Sequence, residues 1–192
     1  MPHPSMPDAS SPRTRGAADL PAGARVLFDR DAIRAAVDRL GADVRATYGD
    51  DPLTVVAVLH GALVFTADLI RRLDMPVQLE TVTARSYRGD ATTPGDLELR
   101  LEDAAHLTGR HVLVVDDILD TGRTLARLTT ALETHRPASL RRAVLLDKPS
   151  RRVEPVTAEF VGLEVPDLFV VGYGLDHDGR WRNLPDIHAL PT

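Results

Sequence analysis

The chain has 192 residues, enough for one α/β domain with a sizeable core and too few for two full domains. Its 28 acidic side chains outnumber 23 basic ones, for a net charge of -5, which argues against a nucleic-acid surface and favours a small-molecule partner. The absence of cysteine excludes a disulfide framework, a thiolate metal site and a cysteine nucleophile, and makes the cytoplasm the expected location. Apolar stretches are only strand-sized, so no membrane span is predicted.

The N-terminal residues 1–22 are rich in Pro, Ser and Gly and are predicted to form a disordered tail. Apolar residues from Ile33 to Val44 then recur at helical spacing, with Asp31 near the start and Gly41 as a point of interruption. We expect residues 23–192 to form a single domain. Its core is predicted over about 53–150, and a small hood over 153–192 together with the N-terminal segment.

Strands and helices alternate along the middle of the chain. Strand character is found in residues 53–62, 77–84, 97–101, 112–115 and 143–146. Helical spacing follows the first and fourth of these strands, and the polar stretch RSYRGDATTPGD predicts a long loop of the kind that forms lids. This alternation predicts a parallel sheet flanked by helices, which binds its ligand beyond the carboxyl ends of the strands.

The most informative stretch is VLVVDDILDTGRTL, residues 112–125, in which a buried strand runs into Asp116, Asp117 and Asp120. The following Thr-Gly-Arg-Thr at a helix start suits a phosphate, because free amides and the helix dipole attract anions and Gly122 permits close approach. The acids suit the vicinal hydroxyls of ribose, or Mg²⁺. The residues therefore predict a ribose 5-phosphate site. A simple solvated turn is the alternative, and neither the P-loop nor the Rossmann glycine pattern occurs.

This stretch resembles the phosphoribosyl pyrophosphate (PRPP) signature of type I phosphoribosyltransferases, in the form with Asp120 that is typical of the hypoxanthine-guanine branch. The resemblance extends over about residues 53–187 and includes VLHGALVFTADLI, LLDKPSRR and WRNLP. It implies a parallel-sheet core with a small hood, and Mg²⁺-dependent transfer of the phosphoribosyl group from PRPP to N9 of hypoxanthine or guanine. It also implies a homodimer or homotetramer.

The resemblance assigns one set of residues to PRPP. Asp116 and Asp117 would meet the ribose hydroxyls directly or through metal-bound water, with Asp116 in place of the more usual Glu. The remaining assignments are Thr121, Gly122, Arg123 and Thr124 for the 5′-phosphate, His60, Gly61 and Arg182 for pyrophosphate, and Asp176 for Mg²⁺. His60 departs from the usual Lys or Arg, so backbone amides are the expected donors there. A cis peptide is expected between residues 60 and 61.

A second set is assigned to the purine. Asp120 would lie near N7 as general acid or base, and Lys148 would donate to the 6-oxo group, which an ammonium distinguishes from an amino group because it has no acceptor. Phe169 would stack on the base, with Val170 and Asp176 beside it. Ser86 and Tyr87 match the pair in the family's mobile lid, which keeps water from the cationic sugar.

Two other functions stay open. A xanthine-preferring phosphoribosyltransferase differs in the recognition of purine C2, which depends on backbone geometry. A PRPP-sensing regulator keeps the phosphate loop but commonly loses the acid at position 120 and carries a basic surface, whereas this chain keeps Asp120 and is net negative. Adenine and orotate enzymes usually have another pattern at position 120.

Overall fold

The computed structural model describes residues 19–83 and 107–191. Its elements in chain order are β1 (Arg25–Phe28), α1 (Arg30–Tyr48), β2 (Leu53–Leu59), α2 (Leu63–Ile70), β3 (Val77–Thr83), β4 (His111–Leu119), α3 (Arg123–Glu133), β5 (Ser139–Asp147), β6 (Phe160–Glu164), β7 (Val170–Val171) and β8 (Ile187–Ala189). A short 3-10 turn, Pro149–Arg151, follows β5. The predicted lid pair, the strand predicted over 97–101 and most of the predicted tail lie outside the described residues.

The main sheet has five parallel strands in the order β3-β2-β4-β5-β6. Alternate residues of β4 face opposite sides of the sheet, as the pleat requires. Leu113 and Val115 pack in the cluster that contains α1 and α2, and Val112 and Val114 pack in the cluster that contains α3. Because both faces are covered, β2 and β4 are mostly apolar, and Asp116 and Asp117 are exceptions in the second half of β4. The predicted α/β fold, a parallel sheet flanked by helices, is confirmed.

Helix α1 begins as its sequence suggests, but it is not interrupted. The Asp29 side chain caps the helix by accepting from Ala32 N at 2.8 Å, and Asp31 lies in the first turn. Gly41 lies inside the helix, where a Cβ atom would be 2.5 Å from the Cβ of Arg72. The prediction of a break at Gly41 was wrong, because this glycine allows α1 to approach the chain just beyond α2 closely.

Two further expectations need correction. Strand β4 does not end at Val115, since its pairing with β5 continues to Leu119 opposite Asp147. Asp116 and Asp117 therefore lie within the strand. In addition, β6 pairs with β5 in the main sheet, although its residues were expected to belong to the hood. A five-residue strand does not reveal by its own pattern which sheet edge it will pair with.

A small antiparallel sheet of order β1-β8-β7 brings the two ends of the described chain together. Ile187 and Val170 from this sheet join the apolar cluster that contains α1 and α2, so the small sheet is anchored to the main core. Trp181 and Leu184 form a separate buried cluster beside it. None of the helices in residues 19–83 and 107–191 has the length and apolar character needed to cross a membrane.

Candidate active site

A cavity of about 270 Å³ opens at the carboxyl ends of β2 and β4. Its walls come from the end of β2, the second half of β4 and the start of α3. The predicted site residues that line it are Gly61, Asp116, Asp117, Asp120, Thr121, Gly122 and Thr124. Parallel strands end together at one edge of a sheet, so segments far apart in sequence meet there.

The adjacent carboxyls of Asp116 and Asp117 form the floor of this cavity. Asp117 N donates to Asp116 Oδ1 at 3.0 Å, and Ile118 N donates to Asp117 Oδ1 at 2.8 Å. Burial raises the pKa of Asp116 well above its usual range, and the neighbouring negative charge of Asp117 raises it further. Burial also raises the pKa of Asp117. Such a crowded acidic pair favours ligands that bring hydroxyl donors or a cation.

Gly61 lies against this pair so closely that any side chain at this position would displace the Asp117 carboxylate. A Cβ atom on Gly61 would be 1.7 Å from Asp117 Oδ2. From the other direction, a Cβ atom on Gly174 would be 2.2 Å from the carbonyl oxygen of Gly61. The cis peptide lies between Leu59 and His60, one bond earlier than expected. The His60 side chain is exposed and does not line the cavity.

The phosphate segment forms the start of α3. Gly122 precedes the helix with φ at +84°, a left-handed conformation that glycine adopts without strain. Thr121 and Thr124 line the cavity, whereas the Arg123 side chain is exposed and lies outside it. The structure thus presents a helix start with two hydroxyl groups to the cavity, next to the acidic pair.

Asp120 lies between the acidic pair and the phosphate segment. Its Oδ1 atom is buried and has no hydrogen-bond partner among the described residues. Arg151 forms an ion pair with that oxygen, with its Nε at 3.5 Å. A buried carboxylate oxygen without a hydrogen-bond donor costs free energy unless a ligand supplies one. Asp120 is therefore available to accept from, or exchange a proton with, a bound molecule.

The residues assigned to the purine come together beyond β5. Lys148 is buried, and its Nζ donates to Leu168 O at 2.7 Å and lies 3.8 Å from Asp167 Oδ1. Phe169 follows Leu168 in the chain and is 52% exposed. The His177 ring packs edge-on against it, with 4.9 Å between the ring centroids. A half-exposed aromatic face beside a buried ammonium suits a flat polar ring. Val170 is buried in β7.

Asp176 and Arg182 form an ion pair in the chain between β7 and β8. Arg182 Nη2 lies 2.6 Å from Asp176 Oδ1, and Gly179 N donates to Asp176 Oδ2 at 2.7 Å. Arg182 Nη1 also donates to Gly174 O at 2.7 Å, which links it to the turn that packs on Gly61. The Gly174 turn therefore contacts both Gly61 and Arg182, two of the residues predicted to bind pyrophosphate, although only Gly61 lines the cavity.

The acidic residues around the cavity include candidate ligands for Mg²⁺. Within residues 19–83 and 107–191, no group of three or more His, Asp or Glu side chains is placed to hold a metal ion. Asp176 is thus not in one cluster with Asp116 and Asp117. Mg²⁺ usually keeps several waters and uses one or two carboxylates together with substrate oxygens. The carboxylates of Asp116 and Asp117 fit that requirement.

Two residues that shape the site, Tyr173 and Arg152, were not identified from the sequence. The hydroxyl of Tyr173 donates to Asp68 Oδ2 at 2.5 Å and so fastens the Gly174 turn to α2. The guanidinium of Arg152 donates to the carbonyl oxygens of Leu119 and Asp120, which belong to the segment 119–122, here called the acidic loop. The serine-arginine-arginine stretch after Lys148 contained no spacing or charge pattern that would reveal such contacts, because they depend on tertiary structure.

Comparisons with known proteins agree with this geometry. The chain matches the phosphoribosyl transferase domain family over residues 25–178. It is 43% identical to the hypoxanthine phosphoribosyltransferase of Haemophilus influenzae over 162 residues, which cover 83% of this chain and 90% of the relative. It is 39% identical to the hypoxanthine-guanine phosphoribosyltransferase of Bacillus subtilis, over 86% of this chain and 92% of the relative. The crystal structure of a hypoxanthine-guanine phosphoribosyltransferase from Bacillus anthracis superposes with a TM-score of 0.81 at 37% identity, covering 87% and 98% of the two chains. The chain therefore belongs to the phosphoribosyltransferase family, in its hypoxanthine-guanine branch.

Proposed function

We propose that the protein transfers the 5-phosphoribosyl group of PRPP to N9 of hypoxanthine or guanine, which gives IMP or GMP and pyrophosphate. The observation that carries the proposal is the cavity at the carboxyl ends of β2 and β4. It combines a helix start that suits a phosphate with an acidic pair that suits a sugar diol. The family relationship supports the same reaction.

In this proposal PRPP lies along the cavity, and different residues bind its 5′-phosphate and its ribose hydroxyls. The 5′-phosphate binds at the start of α3, where amides and the hydroxyls of Thr121 and Thr124 donate to it. The ribose hydroxyls donate to Asp116 and Asp117. The carboxylates of Asp116 and Asp117 do not repel the phosphate group strongly, because they face the ribose hydroxyls. Hydrogen bonds from those hydroxyls favour the ionised form of both carboxyls.

The pyrophosphate group is assigned to Gly61 and Arg182, which both contact the Gly174 turn. Arg182 is a natural partner for phosphate oxygens, because its planar fork can donate two parallel hydrogen bonds. We propose that Mg²⁺ is the cofactor, held by Asp116 and Asp117. Asp176 lies outside that pair and is bound to Arg182, so the family resemblance alone assigns it to Mg²⁺. When bound, Mg²⁺ stabilises the negative charge of the leaving pyrophosphate.

The purine is assigned to the space between Lys148, Phe169 and Asp120. Lys148 uses one N–H on Leu168 O, and an ammonium has two more to offer a 6-oxo group. The exposed face of Phe169 stacks on the base. Asp120, whose Oδ1 lacks a hydrogen-bond donor among the described residues, takes or returns the purine proton during transfer to N9.

The proposal is tested with purified protein, PRPP and Mg²⁺, adding hypoxanthine, guanine, xanthine and adenine one at a time. We expect pyrophosphate release together with IMP or GMP for the first two bases, and no reaction with adenine. Failure of both hypoxanthine and guanine to release pyrophosphate would refute the proposal. A higher kcat/KM for xanthine would assign the chain to the xanthine enzymes, and PRPP binding without turnover on any base would indicate a regulator.

Three finer assignments are part of this proposal. Closure of a lid that includes Ser86 and Tyr87 would exclude water from the cationic sugar during transfer. Assembly into a homodimer or homotetramer and a cytoplasmic location follow the family resemblance. Size-exclusion chromatography with light scattering tests the assembly.

A further inference from the structure

The guanidinium of Arg152 fastens the back of the acidic loop. This side chain is only 18% exposed. Its Nε donates to Asp120 O at 3.0 Å, its Nη2 to Leu119 O at 3.0 Å, and its Nη1 to Val156 O at 2.6 Å. Nη2 also pairs with the carboxylate of Asp147. Every nitrogen of the guanidinium is thus engaged, and two of its bonds hold consecutive carbonyls of the loop.

These bonds determine the direction of the loop amides. The carbonyl of Thr121 also turns towards the same segment, since it accepts from Val153 N and Glu154 N at 3.0 Å each. The peptide bonds of this loop are trans, so each N–H points away from the carbonyl of its own peptide unit. Carbonyls 119, 120 and 121 face residues 148–154, and the amides of the next residues point the other way. Those residues, Asp120, Thr121 and Gly122, line the cavity.

Arg152 also supports the loop through its aliphatic part. A Cβ atom on Gly122 would be 3.1 Å from Arg152 Cδ and 2.6 Å from Val156 Cγ1. The arginine stem and the valine therefore fill the space behind Gly122, which is the residue just before α3. Movement of the loop away from the cavity would run into these atoms, so the contact resists a shift that would spread the amides.

We propose that Arg152 is a positioning residue, which holds the acidic loop, residues 119–122, with its amides aimed into the cavity before PRPP arrives. The inference rests on the proposed function, because it assumes that this loop binds the 5′-phosphate. The positive charge of Arg152 is matched by the carboxylate of Asp147. Arg152 therefore acts by orienting the loop and not by long-range attraction of the phosphate. Donors that are already oriented need no reorganisation when the ligand binds.

The test compares Arg152→Ala with Arg142→Ala. Arg142 is a matched control, because it is 19% exposed and forms a forked pair with Glu159 away from the loop. We expect both variants to lose thermal stability. Only Arg152→Ala should raise the KM for PRPP, by about tenfold to a hundredfold, the range expected for charged hydrogen bonds that orient the loop. A KM for PRPP within about twofold of wild type in folded Arg152→Ala would overturn the inference.

Chemical rescue separates orientation from general stability. Methylguanidinium at millimolar concentration should lower the raised KM for PRPP of Arg152→Ala, because it can occupy the vacated space and donate to the same carbonyls. It should leave the KM of Arg142→Ala unchanged. An equal response of both variants, or of neither, would count against the positioning role.

Arg152→Lys keeps the charge but loses the fork, so it should show a KM for PRPP between wild type and the alanine variant. If Arg152→Ala does not fold, this variant decides instead: a rise of about tenfold supports the inference, and a value within about twofold of wild type overturns it. The two proposals fail differently. Wild-type protein that does not bind PRPP refutes the proposed function, whereas Arg152→Ala that binds PRPP as tightly as wild type overturns only the positioning role.

Discussion

Substituting alanine for Gly61 is expected to disable the enzyme without unfolding it. The new Cβ atom would be 1.7 Å from Asp117 Oδ2 and 2.6 Å from Asp117 Cγ. Because such contacts need at least about 3 Å, the carboxylate oxygen would have to move by about 1.3 Å. The glycine backbone cannot simply retreat, since Gly174 packs against its carbonyl.

The size of the effect follows from this displacement. Misplacing a group that contacts the substrate by about 1 Å can lower the rate about a hundredfold. Overpacking of this kind costs about 1–3 kcal/mol of the free energy of unfolding. We therefore expect kcat/KM for PRPP to fall by about a hundredfold in Gly61→Ala, with a loss of stability that still leaves the protein folded at room temperature.

Two measurements test this expectation: steady-state kinetics with PRPP at saturating hypoxanthine, and urea unfolding. Gly49→Ala is the control, because Gly49 ends α1 with φ at +61° and has no neighbouring atom within 4 Å of a Cβ position. It should lose about 1–3 kcal/mol through backbone strain and keep its kinetics. If folded Gly61→Ala retained kcat/KM within about threefold of wild type, the Asp117 carboxylate would not be the substrate contact that its position indicates.

Three further substitutions test other parts of the site. Asp120→Asn should lower kcat by about a hundredfold with little change in PRPP affinity, and equal turnover would remove the proton-transfer role. Lys148→Ala should raise the KM for hypoxanthine by about tenfold or more, and an unaltered preference for hypoxanthine over adenine would contradict its assignment. Asp116→Asn should raise the free energy of unfolding near pH 7 by about 1–2 kcal/mol in urea titrations while lowering activity. Because folding raises the pKa of Asp116, its contribution to stability is lost as the pH rises from the usual carboxyl range through the raised folded value, so this gain should shrink towards about pH 4. A gain that did not depend on pH would refute that account.

The residue sequence determined the fold class and the chemistry of the phosphate loop. Buried strands and amphipathic helices differ in period, and these periods can be read from contiguous residues. The acidic pair, Asp120 and the Thr-Gly-Arg-Thr stretch are also contiguous, so their relation to a helix start was visible in the sequence. The family resemblance added Lys148 and Phe169, which local patterns alone would have assigned to a surface charge and a core strand.

Tertiary structure decided which distant residues meet. Whether β4 ends at Val115 or continues to Leu119 depends on how far β5 pairs with it, and the edge position of β6 depends on the free side of β5. These are choices of backbone hydrogen-bond partner, and the pattern of a single strand does not contain them.

The same reason applies to the site itself. Gly61 is required because Asp117 approaches its Cα from another strand, and Arg152 matters because the chain after β5 returns to the carbonyls of the acidic loop. Each contact joins segments separated by more than thirty residues in the chain. Local sequence supplies the chemical groups of this site, and only the packing of the sheet brings them within hydrogen-bonding distance, because that packing is set by the whole core at once.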